Sequence, residues 1–306
     1  MVDTSFNTVR GFYFDTQNTI SACCDTAVLE AVMQRCGFYN DLLSKTVPGS
    51  DVWRINHAEG APVRVSAHTL KILHTAMRVN EASGGAFNIA VGPAVALWRF
   101  KEETPHLPDR QALAAAIGQA DMQGIVLGEE TVTVPPTVQI DLGGIAKGYI
   151  ADCIAGELRE KGVKSALLNF GGNVVTIGNK PDGSPWMIGL QTPGGERGKA
   201  FWAAVKSADG TVVTSGAYER GFDMDGVRYH HILDPRTGWP VQNGLLTVTT
   251  CTQSSLLADA LTTAMFVLGV EEGLRLAHRF GVQAVFLFRD GKATYTQGLD
   301  IVLVRP

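Results

Sequence analysis

Between Leu256 and Gly269 the chain reads LLADALTTAMFVLG, a helix-length run with charge at a single position, Asp259. A helix apolar on nearly all sides belongs in the interior. Asp259 goes in with it, and burying a carboxylate without a partner is costly. The fold must therefore bring something to Asp259: a basic side chain, a backbone group to cap, or a cation. Thr263 lies one turn on and shares that helical face. A carboxylate and a hydroxyl aimed at one spot suit a hard cation such as Mg²⁺, which prefers oxygen ligands and keeps several waters. The spacing alone leaves metal and structural partner equally open.

A chain of 306 residues, 45% hydrophobic and 18% charged, can build the core such a helix needs, in one large or two ordinary domains. A formal net charge of -4 and a pI near 6.0 give no global attraction to nucleic acid or an anionic membrane, so phosphate chemistry needs a local site. No apolar run approaches the ~20 residues that cross a bilayer. The start, MVDTSFNTVRGFYF, lacks the basic, apolar and small-residue order of a secretory leader, so a cytoplasmic location is expected. Cys23, Cys24, Cys36, Cys153 and Cys251 show no metal-ligand spacing and read as free thiols in a reducing compartment.

Strand and helix signals alternate without a regular βαβ rhythm, which favours an α+β fold with a mostly antiparallel sheet. Helical spacing predicts helices over Thr26 to Tyr39, Val52 to His57 behind Ser50, Ser66 to Ser83, Leu107 to Ala120, Ile145 to Lys161, Ser255 to Leu268 and Glu271 to Phe280. Gly92 and Pro93 read as a break. A hairpin is predicted around Gly128-Glu129-Glu130. Strands are predicted at Val138 to Leu142, Ser165 to Phe170, Trp186 to Gln191, Ala200 to Val205, Val212 to Ser215, Leu246 to Cys251, Val282 to Arg289 and Asp300 to Val304. Two strand-then-Gly-Gly corners, at Gly143-Gly144 and Gly171-Gly172, hint weakly at an internal duplication.

Two further segments carry chemistry. In QIDLGGIAKGYIAD, Asp141 ends a predicted strand, two glycines allow close approach, and Lys147 sits in the first turns of a helix. A helix N-terminus with a nearby lysine favours anions, although a solvated structural corner reads the same way. In YHHILDPRTGWP, Asp-Pro and Thr-Gly make a tight turn, and Arg236 could reach a phosphate or carboxylate. Strand alternation sends His230 and His231 to opposite faces, so only one of them faces a given pocket. Just upstream, Ser215 and Gly216 offer backbone contacts. No G-x-S-x-G elbow is present, which removes a serine-hydrolase reading.

Taken in order, GGAFNIAVGPAVALWRF, QIDLGGIAKGYIAD, ALLNFGGNVVTIG, VVTSGAYERGF, YHHILDPRTGWPV and ADALTTAMFVLG resemble the ApbE family of FAD:protein FMN transferases, from about Phe14 to Gly269. The resemblance implies one α+β domain over residues 1–306 that binds FAD and Mg²⁺. It implies cleavage of the FAD pyrophosphate, transfer of FMN to a threonine or serine hydroxyl of an acceptor flavoprotein, and release of AMP. Two alternatives are an FAD pyrophosphatase and an FAD-binding protein without turnover. By position, Asp259, Thr263 and the Gly144 carbonyl match the family's magnesium ligands. Phe14, Thr46, Ala96, Leu97, Trp98, Asp141, Lys147 and Ile232 match its FAD contacts, and His231 matches its transfer-associated histidine. Three departures fall on FAD-contact positions: Phe14-Asp15-Thr16 for Met-Gly-Thr, Lys45-Thr46 for an aromatic, and Asn88 and Ala90 for Asp and Thr.

Overall fold

In the computed structural model, which describes residues 6–100, 102 and 104–304, the chain begins with an antiparallel hairpin of β1 (Phe6–Tyr13) and β2 (Thr16–Cys23). Residues 1–5 of the N-terminal stretch lie outside the described residues. Helix α1 (Thr26–Leu43) starts where the Asp25 carboxylate accepts the Ala27 N–H, and it runs past the predicted end at Tyr39. Helix α2 (Asp51–Asn56), strand β3 (Val63–Arg64) and helix α3 (Ala67–Ala82) follow. The hydroxyls of Ser50 and Ser66 accept from Trp53 and Thr69, so both predicted caps form.

Gly92 and Pro93 start a helix rather than break one. They open α4 (Gly92–Trp98), with proline in the first turn, where its missing N–H costs nothing. Helix α5 (Arg110–Gly118) is shorter than predicted because Asp109 caps it through the Ala112 N–H and leaves Pro108 outside. The predicted hairpin forms as β4 (Val126–Leu127) and β5 (Thr131–Thr133).

Val138 to Leu142 is no strand. Its alternation is real, since Val138, Ile140 and Leu142 are all buried, but no neighbouring strand pairs with it. Instead the Asn56 side-chain amide stands in for one, donating to the Ile140 carbonyl and accepting the Ile140 N–H. Asp141 N–H donates to the Ile89 carbonyl next to it.

Helix α6 (Ala146–Glu160), β6 (Ala166–Phe170) and β7 (Asn173–Ile177) come next. Gly171 and Gly172, with φ of 62° and 98°, form the turn of the β6–β7 hairpin, whereas Gly143 and Gly144 lead into α6 without left-handed backbone. The two Gly-Gly pairs do different jobs, and the suggested duplication falls away.

Strands β8 (Trp186–Gln191), β9 (Phe201–Ser207) and β10 (Gly210–Gly216) precede a two-stranded ribbon of β11 (Gly221–Met224) and β12 (Val227–His230). Then come β13 (Leu245–Thr252), α7 (Ser255–Leu268), α8 (Val270–Phe280), β14 (Gln283–Phe288), β15 (Ala293–Tyr295) and β16 (Ile301–Leu303). An eight-stranded antiparallel sheet runs in the order β1-β2-β6-β7-β10-β13-β14-β15. Helices α1, α3, α6, α7 and α8 join one face in the largest core cluster, and the β16-β9-β8 sheet packs on the other through Ile188, Val205, Val212 and Val285. The architecture is α+β, as predicted.

At the centre of the helical layer α6 crosses α7 at Gly148. A Cβ there would stand 2.1 Å from the Ser255 carbonyl oxygen and 2.8 Å from the Asp259 Cβ. Replacing glycine by alanine inside a helix gains about 1 kcal/mol of propensity. Here the obstacle is backbone, which cannot swing aside, so overpacking wins. Gly148→Ala is expected to destabilise the protein by about 1–3 kcal/mol in urea unfolding; equal or higher stability would contradict the crossing.

Candidate active site

The candidate site gathers around the α6 N-terminus. Its N-cap position is Ile145, which offers no side-chain oxygen. The cap comes from α7: Asp259 Oδ2 accepts the Gly148 N–H at 2.9 Å. Asp259 is 5% exposed. Of the partners the sequence leaves open, the protein itself supplies the backbone group. This does not use up the carboxylate, which has a second oxygen and further lone pairs. Thr263, half-buried one turn along, directs its hydroxyl back to the Asp259 carbonyl at 3.4 Å. Thr262 is held more tightly, donating to the same carbonyl at 2.9 Å and accepting from Ser215 Oγ at 2.9 Å. Ser215 thus braces α7 with its side chain, where the sequence suggests only backbone contact.

Gly144 is exposed, one turn before Gly148. Among the described residues no group of three or more His, Cys, Asp or Glu side chains is arranged to hold a metal. The donors expected at this spot are one carboxylate, one hydroxyl and one carbonyl. That all-oxygen set fits Mg²⁺, which binds through one or two carboxylates, waters and substrate phosphates.

Lysines flank the loop before α6. Lys147 Nζ donates to the Gly143 carbonyl at 3.3 Å, Gly143 N–H donates to Asp141 Oδ1 at 2.8 Å, and Lys45 Nζ pairs with Asp141 Oδ2 at 2.6 Å. Lys45 therefore joins the site, although the sequence reading names its neighbour Thr46. Thr46 is exposed and bonds locally to Ser44. The available signal was a lysine at a position where the family carries an aromatic.

The two adjacent histidines have separate roles. His230 ends β12 fully buried, with Nε2 against the Val241 carbonyl at 2.9 Å and Nδ1 accepting the Ile232 N–H at 3.3 Å. Both nitrogens are in use, which fixes a neutral ring with the proton on Nε2. His231 lies just past the strand and retains accessible surface, although protein surrounds most of it. Its Nδ1 is 3.2 Å from the Arg220 carbonyl, which can only accept, so Nδ1 carries the proton and Nε2 keeps a free lone pair. Burial pushes both rings down to about 4, and the Lys147 charge adds to the effect on His231.

Arg236 forms a two-bond ion pair with Asp234 in its own turn, at 2.9 and 2.7 Å. Burial would raise the Asp234 carboxyl, but the Arg236 side chain and N–H outweigh it and hold it low. That turn is tied to α4 by Trp98, whose indole donates to the Gly238 carbonyl at 2.8 Å.

The remaining expected FAD contacts divide. Asp141 faces Gly92 at the start of α4, with only 3.1 Å from a Cβ built on Gly92 to the Asp141 Cβ. Ala96 is exposed and Leu97 half-buried, so both can meet a ligand. Trp98 is fully buried, and Ile232 is buried with its N–H on His230 and its carbonyl on Val241. Phe14 sits half-buried at the β1–β2 tip, bonded to Asn40. Among the described residues no hydrogen bond or ion pair joins Phe14 or Thr46 to Asp259, Lys147 or His231. Asn88 caps the turn over Ile89–Val91, and Ala90 is buried beside it, so both departures serve local structure.

A family model described as the ApbE family matches residues 14–286. A Klebsiella pneumoniae protein named FAD:protein FMN transferase is 39% identical over 287 residues, covering 92% of this chain and 86% of that one. One of the same name from Treponema pallidum is 38% identical, covering 89% and 80%. The crystal structure of the ApbE protein of Thermotoga maritima superposes with a TM-score of 0.85 at 31% identity, covering 96% of this chain and 97% of that chain.

Neutral buried histidines make stability depend on pH. The unfolded chain binds protons near pH 6.5 and the folded one only near 4, so folded stability is complete above 6.5 and is lost as pH falls through that window. One such ring contributes a slope of at most about 1.4 kcal/mol per pH unit. Urea midpoints measured from pH 7 to 4.5 should fall less steeply in His230→Gln than in the unsubstituted protein; equal slopes would refute a neutral His230.

Proposed function

The chain belongs to the ApbE family, and from that premise we propose that it is a Mg²⁺-dependent FAD:protein FMN transferase. It takes FAD, attaches FMN to a threonine or serine hydroxyl of an acceptor flavoprotein, and releases AMP. The observation that carries this reading is His231, whose ring is held by the Arg220 carbonyl through Nδ1 so that Nε2 is unprotonated.

The diphosphate of FAD lies against the α6 N-terminus, where the helix dipole and the Lys147 ammonium favour negative charge. Asp259, Thr263 and the Gly144 carbonyl would hold Mg²⁺, which when bound would offset the negative charge of the diphosphate. Nε2 of His231 takes the proton of the acceptor hydroxyl. The acceptor oxygen bonds to the phosphorus of the FMN half as the bridging P–O bond to AMP breaks. A ring that burial keeps neutral is ready to accept a proton at neutral pH. Ala96 and Leu97 border the substrate, and Asp141 with Lys45 forms the other wall.

Incubation with FAD, Mg²⁺ and an acceptor domain bearing a candidate threonine should yield AMP and covalently bound flavin in equal amounts. AMP with free FMN alone would indicate hydrolysis, and FAD binding without AMP would sink the enzymatic reading. His231→Asn should lower turnover by about 10²–10⁴-fold with FAD binding retained. Asp259→Ala should abolish the Mg²⁺-dependent rate.

A further inference from the structure

The proposed mechanism uses Asp259 and leaves unexplained a second carboxylate at the same helix crossing. Asp152 extends from α6 to the first turn of α7. Its Oδ1 accepts the Ser255 N–H at 2.8 Å, and its Oδ2 accepts the Leu256 N–H and the Ser254 hydroxyl, each at 3.0 Å. Gly148 meets Asp259 while Asp152 meets Ser255, so the two helices run antiparallel here. Each gives a carboxylate to the other's N-terminal amides.

Ser254 Oγ accepts only the Leu257 N–H, and Asp152 takes the Ser255 and Leu256 N–H groups that it leaves open, so the cap of α7 is completed from another helix. Burial pushes the Asp152 carboxyl up, against the Leu256 and Ser255 N–H groups, the Ser254 hydroxyl and the charge of Lys71. Three hydrogen bonds thus converge on one carboxylate that the proposed reaction does not use. What they fix is where α7 sits on α6. With the Gly148–Ser255 contact as pivot, Asp152 clamps one side and Asp259 the other. A helix is stiff, so a shift at Ser255 is passed directly to Asp259 one turn on.

We infer that Asp152 is a positioning residue for the magnesium site, setting the direction in which α7 presents the Asp259 carboxylate and the Thr263 hydroxyl. The inference rests on the magnesium reading of that site. Partners that orient metal ligands typically cost 10–100-fold in metal affinity when removed.

The test uses Asp152→Asn, which keeps the shape, and Ser254→Ala, which leaves the carboxylate and both of its N–H bonds. Two quantities are read: the Mg²⁺ concentration giving half-maximal AMP release, and the further rise in melting temperature when Mg²⁺ is added to the FAD-bound protein. Asp152→Asn should need about tenfold more Mg²⁺, recover turnover when Mg²⁺ is raised, and lose most of the Mg²⁺-dependent rise, while the rise from FAD alone persists. Ser254→Ala should move both quantities the same way by roughly fivefold or less, and it decides the matter if Asp152→Asn does not fold. A lower starting melting temperature with both Mg²⁺ responses unchanged would reduce Asp152 to a structural cap and overturn the inference. An unsubstituted protein that releases AMP without any Mg²⁺ response would overturn the magnesium reading, and this inference with it.

Discussion

Gly148 of α6 and Ser255 of α7 approach so closely that no side chain fits between them, and the site depends on that contact. Close approach brings the N-terminal amides of α6 within reach of a carboxylate on α7. It lets a buried acid be satisfied by a peptide N–H instead of a cation. A lysine or arginine at Asp259 would have neutralised it and left nothing for a metal. An amide satisfies one lone pair and leaves the negative charge in place. The arrangement thus solves a folding problem, the cost of burying a carboxylate, without cancelling its charge.

The same economy governs the histidines. His230 and His231 are identical in type and adjacent in sequence, and carbonyl oxygens decide what each can do. The Val241 carbonyl and the Ile232 N–H occupy both nitrogens of His230 and make it part of the core. One carbonyl, from Arg220, occupies a single nitrogen of His231 and leaves the other open. Arg220 also receives the His231 N–H, so the backbone and ring of His231 are held by one oxygen. At the α6 N-terminus Lys45 is paired with Asp141, whereas Lys147 reaches only the Gly143 carbonyl and keeps its charge without a carboxylate partner among the described residues.

Much of this was legible in the residues. The caps at Ser50 and Ser66, the bounds of α7 and the need of Asp259 for a partner follow from local rules. The separation of His230 from His231 follows from alternation. What stayed hidden depends on neighbours distant in sequence. Nothing local reveals that Gly148 would supply the partner, or that Asn56 would take the place of a strand beside Ile140. Strands β1 and β2 are rich in Asn, Gln, Thr and Ser and carry little periodic signal; antiparallel pairing, and for β2 the further ladder to β6, makes them strands. Trp98 and Ile232 carry no sequence mark of their burial, which comes from packing against other segments of the chain.

The Lys45–Asp141 pair has a different kind of consequence. An aromatic wall holds a ligand by contact area, which dissolved salt hardly changes. Here the position carries two opposite charges, 40% and 24% exposed. Counter-ions can reach both charges and weaken their attraction. The Asp141 carboxylate, which also receives the Gly143 N–H ahead of α6, is thus held by a bond whose strength varies with the ionic medium, so the loop before that helix is tied down less firmly as the salt around it rises.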